Sequence, residues 1–175
     1  MADIDDKKHI GKDSILGDFL SLILKIAAAF LIIFLLFIFI FGFIRYDNDE
    51  MNPSVRFGDC IITNRLSKDY IDNDLVVTKY KNKKMILRVI ATAGDTVDIT
   101  SDGLIINDSP QPEPDVSQKT KRYDNQVKFP MTLNDGEIFV LCDNRTNGTD
   151  SRVFGPISIK NTLGRPIALL RLRDF

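Results

Sequence analysis

The sequence has a single histidine and only two cysteines in 175 residues, and its charge is nearly balanced, at a net value of -1 with a pI near 5.8. The histidine, His9, lies in the N-terminal tail, so a Ser-His-Asp triad cannot be assembled in the rest of the chain. Cys60 and Cys142 stand alone, without a CxxC pair or a nearby histidine, which argues against zinc. No metal and no cofactor is expected. The two cysteines could form a disulfide or serve as small buried apolar side chains, and both readings stay open. The balanced charge offers nothing to draw nucleic acid as a partner. Repeats and low-complexity runs are missing too, and the length fits one ordinary domain plus a short extra segment.

What is present is a long apolar run. Residues 26–44 read IAAAFLIIFLLFIFIFGFI without a charge, and FLSLIL extends the run back to Phe19, broken only by Lys25. At about 1.5 Å per residue, roughly twenty residues cross a hydrocarbon core of about 30 Å, so a transmembrane helix is expected over residues 19–44. A cleaved signal peptide is a poorer description, because the run is too long and no small-x-small site follows it. Lys7, Lys8, Lys12 and Lys25 lie on the N-terminal side, whereas only Arg45 follows closely. Lysine and arginine resist translocation, so the N-terminus should remain cytoplasmic. The expected organisation is a cytoplasmic N-terminus (1–18), a transmembrane helix (19–44) and an extracellular domain (45–175), anchored in the cell membrane by a single pass.

The region after residue 44 reads as mainly β. GDCIITNRL, DLVVTKY, KMILRVIA, DTVDIT, GLIIND, GEIFVLCD and IALLRLRDF are short apolar or alternating runs, punctuated by Gly, Asp, Asn or Pro. An antiparallel or mixed β domain is expected, with residues 110–126 forming a polar, proline-broken surface loop. With no histidine in this region, acyl chemistry would need a Ser-Lys dyad, in which a desolvated lysine activates a serine.

The motifs bear on that possibility. Glu50-Met51-Asn52-Pro53-Ser54 is followed by Gly58-Asp59, and DNDLVV occupies residues 72–77. Leu87-Arg88-Val89-Ile90-Ala91-Thr92-Ala93-Gly94-Asp95 comes next, then a block from Cys142-Asp143-Asn144-Arg145 to Gly148-Thr149-Asp150-Ser151-Arg152-Val153-Phe154-Gly155. In order and spacing these blocks resemble those of type I signal peptidases, membrane-anchored Ser-Lys proteases whose blocks read S-M-x-P-T, G-D, K-R-V-I-x-x-P-G-D and G-D-N-R-x-x-S-x-D-S-R-x-F-G. The resemblance implies a signal-peptidase-type β domain after a single N-terminal transmembrane helix. It also implies that Met51, Pro53, Gly58, Asp59, Arg88, Gly94, Asp95, Asp143, Asn144, Arg145, Asp150, Ser151 and Arg152 are retained scaffold positions.

The resemblance places the family's nucleophile at Glu50, its general base at Leu87 and the serine that steadies the lysine at Gly148. A carboxylate with no neighbouring lysine and an aliphatic side chain cannot share a proton, and dyad residues act as a unit. No catalytic residue is therefore expected, and recovering activity should require changes at positions 50, 87 and 148 together. Ser54 aligns with the family's threonine, Ser151 with a non-nucleophilic serine, and Lys84 falls on the opposite face of its strand from Leu87. A groove that binds extended peptide by strand addition can outlast the dyad. The chain resembles signal-peptidase-like proteins that accompany pilus genes in Gram-positive cocci. The implied function is a chaperone or accessory factor in sortase-dependent pilus assembly, with pilin precursors or the pilus sortase as partners beside the membrane. The alternative is an active signal peptidase with a non-standard nucleophile.

Overall fold

In a computed structural model the structure describes residues 12–112, 118–123, 127–146 and 148–171, with side chains from residue 17 onward. His9, residues 113–117 and 124–126 of the 110–126 loop, and residues 172–175 lie outside the described residues. The chain divides into two compact units, with the boundary between Phe39 and Ile40.

The first unit carries α1, Lys12–Ile40, in which Gly17–Ile40 is a 24-residue stretch long and apolar enough to cross a membrane. The helix stops at Ile40 rather than running to residue 44. Phe41–Arg45 forms β1, pairing antiparallel with β2, Cys60–Asn64, from Phe41 opposite Asn64 to Arg45 opposite Cys60. An apolar run has no marker for a change from the helical period to the strand period, which is why the boundary is misplaced from sequence. Gly42 explains why this segment favours the sheet. A Cβ there would lie 2.5 Å from Thr63 Oγ1, so only glycine lets β1 approach β2 this closely.

The second unit is built from antiparallel pairs. β3 (Leu75–Tyr80), β4 (Lys83–Ala91), β5 (Thr96–Thr100) and β6 (Gly103–Ile106) follow in turn. The two-residue strands β7 (Ser109–Pro110) and β8 (Met131–Thr132) come next, then β9 (Glu137–Leu141). A one-turn helix α2 (Ser151–Phe154), β10 (Ile157–Ser158) and β11 (Arg165–Leu170) complete it. The strands make three sheets of order β1-β2-β11, β10-β9-β4-β3 and β7-β6-β5-β8.

Strand β9 shows how alternation builds the interior. Ile138 and Val140 join one core with Met51, Val55, Leu87 and Cys142, while Phe139 and Leu141 join a second with Ile90, Val97 and Ile99. A strand buried on both faces reads as a continuous apolar run, as IFVL does after Glu137. Cys60 and Cys142 are both free and buried, so of the two readings the small apolar one holds.

Candidate functional site

The segment after β1 folds back on itself before entering β2. Tyr46 N donates to Asp59 O and Gly58 N to Tyr46 O, each at 2.8 Å, and Gly58 sits at φ +88, where a side chain would be strained. Inside this loop the backbone N of Met51 donates to the Tyr46 hydroxyl at 3.1 Å, and Val55 N donates to Met51 O at 2.9 Å. Burial pushes the Tyr46 phenol well above its ordinary value. Met51 and Val55 are fully buried, which fixes the loop and leaves Glu50 half-buried and Asn52 and Pro53 exposed at its crest. At the other end Asp59 is clamped by Arg171 at 2.9 Å, and Arg171 also reaches Ser54 O.

The second contributing element is β4. Leu87 is fully enclosed in the apolar core with Met51, Val55 and Cys142. Arg88 projects from the other side of the strand and holds Asp143 through two 2.7 Å hydrogen bonds, with further bonds at 3.0 Å to Ser54 Oγ and Asn73 O. Lys84, also on that side, is exposed. Gly94 (φ +89) and Asp95 close the β4–β5 turn, where Asp95 accepts from Thr92 N and Asn107 Nδ2 at 2.8 Å each. Burial of Asp95 raises its pKa, yet these bonds outweigh it and hold the carboxyl below its ordinary range.

The third element is the loop from Cys142 to Gly155. Its center is a pair with both side chains fully buried: Arg152 donates to Asp150 through Nη2 at 2.7 Å and Nε at 2.9 Å. Asp150 also accepts from the backbone N of Cys142 and of Arg152, each at 3.1 Å. Arg152 reaches Arg145 O at 2.7 Å and lies 4.3 Å from the center of the Tyr123 ring. Ser151 is fully buried, and its Oγ accepts from Val140 N at 3.0 Å. Arg145 Nε donates to Thr120 Oγ1 at 2.8 Å, and its Nη1 donates to Cys142 O. The loop is joined to the Glu50 segment by Asn144 N, which donates to Glu50 O at 2.9 Å, and by Asp143 N, 3.4 Å from Met51 Sδ.

The structure thus brings Glu50, Leu87 and Gly148 into one locality through these three elements. Gly148 has a specific neighbour. A Cβ at position 148 would meet Cys142 Cβ at 2.4 Å and Sγ at 2.6 Å. Beside the joined loops lies a cavity of about 400 Å³, lined by Asn52, Pro53, Gln118, Asn144, Arg145 and Thr146 among others. Among the described residues no group of His, Cys, Asp or Glu is arranged to hold a metal ion.

The family model for signal peptidase, peptidase S26, matches residues 19–170. The chain belongs to the signal peptidase family. It is 31% identical over 142 residues to signal peptidase I of Bacillus caldolyticus, spanning 73% of this chain and 78% of that protein. It is 30% identical over 131 residues to the probable thylakoidal processing peptidase 2 of Arabidopsis thaliana, spanning 67% of this chain. The match takes in 35% of the length of that relative. A crystal structure of a signal peptidase I from Enterococcus faecalis V583 is matched at 24% identity and a TM-score of 0.46, over 55% of this chain and 96% of that one.

Set against the signal peptidase blocks, Cys142 and Gly148 exchange sizes. The block carries glycine at the first position and serine at the second, whereas here the side chain stands at the first and is missing from the second. The thiol occupies the space a hydroxyl-bearing side chain at 148 would need. In the sequence Cys142 reads as either a disulfide partner or a small buried apolar side chain. Its departure from the block's glycine was the available signal. The thiol is no substitute nucleophile, because burial first, and then Asp150 and Glu50, push its pKa far up and keep it protonated. Ser151 spends its hydroxyl on Val140 N, and Ser54 accepts from Arg88. Arg171, Thr120 and Tyr123 also brace the site, and no motif marked them.

Proposed function

We propose that this signal peptidase homologue is non-catalytic and holds extended peptide beside the membrane, as an accessory factor or chaperone in sortase-dependent pilus assembly. Its partners on this reading are pilin precursors or the pilus sortase. The observation that supports it is Leu87: a fully buried aliphatic side chain stands where the resemblance assigns the general base. The filled space beside Gly148 supports it further, because a second polar position has been replaced by packing. The change at Leu87 removes the proton acceptor, the change at Gly148 removes the hydroxyl that would steady it, and the scaffold of Met51, Arg88, Asp143, Asp150 and Arg152 stays joined. Main-chain pairing of a peptide with a sheet edge needs no catalyst, and β1 is an edge strand. The lysines before the span favour a cytoplasmic N-terminus with the β domain outside. The alternative, a peptidase with a non-standard nucleophile, is opposed by the engaged or buried state of Ser54, Ser151 and Cys142.

Gene deletion tests the reading. Surface pilus polymers should shorten or vanish while bulk preprotein processing stays normal. Complementation with Glu50→Gln or Leu87→Met should restore them, since neither side chain is asked to do chemistry and methionine conserves the core volume. Accumulation of unprocessed preproteins in the deletion strain would contradict the proposal.

A further inference from the structure

A second cavity lies away from the Glu50 locality. It encloses about 230 Å³ between β1, β2 and β4, lined by Gly42, Phe43, Ile44, Thr63, Arg65 and Lys84. Its two cations, Arg65 and Lys84, are exposed, and neither side chain has an acceptor among the described residues. Lys84 stands directly opposite Lys79 in the β3–β4 register, so a third cation shares that side of the ladder. Like charges opposed in this way repel. An arrangement that gathers cations around a cavity without a carboxylate is complementary to an anion from outside. The shape depends on Gly42, since a Cβ there would lie 3.1 Å from Arg65 Nε.

The place in the chain identifies the anion. α1 ends at Ile40, whose carbonyl accepts from Arg65 N at 2.9 Å. Gly42 follows by two residues, roughly 7 Å along a strand. The wall of the cavity thus begins two residues after the apolar stretch that is long enough to cross a membrane. Phe43, 64% exposed, adds an apolar wall beside the cations. Cations together with an exposed aromatic, directly after a membrane-crossing stretch in the chain, match an amphiphile whose head carries a phosphate.

We propose that the Arg65–Lys84 cavity binds the phosphate of an anionic phospholipid in the leaflet where α1 ends. Each cation near an anionic surface contributes about fivefold to affinity at low salt. The full chain in neutral detergent, titrated with phosphatidylglycerol and followed by native mass spectrometry, should retain this lipid in preference to phosphatidylcholine. Arg65→Gln and Lys84→Gln should each weaken retention about fivefold and the double variant roughly 25-fold. Both side chains are exposed and have no acceptor among the described residues, so these variants keep the fold. Lys83→Gln, one residue away on the opposite face of β4, should leave retention unchanged. Equal retention of phosphatidylcholine, or an equal loss in Lys83→Gln, would overturn the proposal. Complete displacement of phosphatidylglycerol by millimolar inorganic phosphate would assign the site to free phosphate and overturn it as well.

Discussion

The contact between positions 142 and 148 yields a quantitative test. Gly148→Ser places a Cβ 2.4 Å from Cys142 Cβ and 2.6 Å from its Sγ, about 1 Å or more inside the usual contact distance of about 3.5–4 Å. Cys142 Cβ is bonded directly to the backbone and no rotation about χ1 moves it away, so the loop itself must shift. Overpacking of this kind costs about 1–3 kcal/mol. For a chain of this length, about 2 kcal/mol corresponds to a fall of roughly 4–8 °C in melting temperature. Cys142→Gly alone should also destabilise, by about 1–2 kcal/mol, through lost burial and added backbone freedom. The double variant reverses the exchange, because the serine Cβ enters the space the cysteine leaves. Asn144 O, 3.1 Å from that Cβ, is the remaining close contact. The double should therefore melt above Gly148→Ser, with a coupling energy of about 1–3 kcal/mol. Thermal unfolding of the four full-length proteins in one detergent, followed by circular dichroism, measures it. Additive losses, or a Gly148→Ser variant as stable as the parent, would refute the packing argument. The same contact bears on activity. Glu50→Ser, Leu87→Lys and Gly148→Ser together should remain inactive, and adding Cys142→Gly should give the first variant able to seat the hydroxyl, since about 1 Å of misplacement can cost roughly 100-fold in rate.

Arg152→Ala strands Asp150, whose side chain is fully buried, and should cost about 3–5 kcal/mol in denaturant unfolding. Arg165→Gln, which breaks the more exposed pair with Asp74, should cost less than about 1 kcal/mol. Arg171 is the main cause of the lowered Asp59 pKa, so the stabilisation is present above about pH 3.9 and is lost as pH falls through the depressed folded value. Arg171→Gln should therefore melt below the parent at neutral pH, and the gap should close in acid; a gap independent of pH would contradict this. Leu87→Lys buries an amine whose folded pKa falls below the free value of about 10.4, and between the two values the unfolded state binds more protons. Melting temperature of that variant should accordingly rise with pH across the window.

Much of this was legible in the residues. The anchor helix and the β character of the later segments followed from apolar period and turn residues. The departures at Glu50, Leu87 and Gly148 were visible once the blocks were set in order. Two kinds of fact were not. The helix-to-strand change at Phe41 lies inside a run apolar on every face, where the period carries no signal until β2 supplies a partner. The filling of the Gly148 space by Cys142, and the clamp of Asp59 by Arg171 from 112 residues away, depend on which loops meet in space. Spacing along the chain says nothing about such meetings.

The most direct test of the non-catalytic reading is a cleavage assay on the full chain in detergent with a signal-peptide substrate. The reading predicts no turnover above the blank, before or after Ser54→Ala and Ser151→Ala. Cleavage that either substitution abolishes would contradict it.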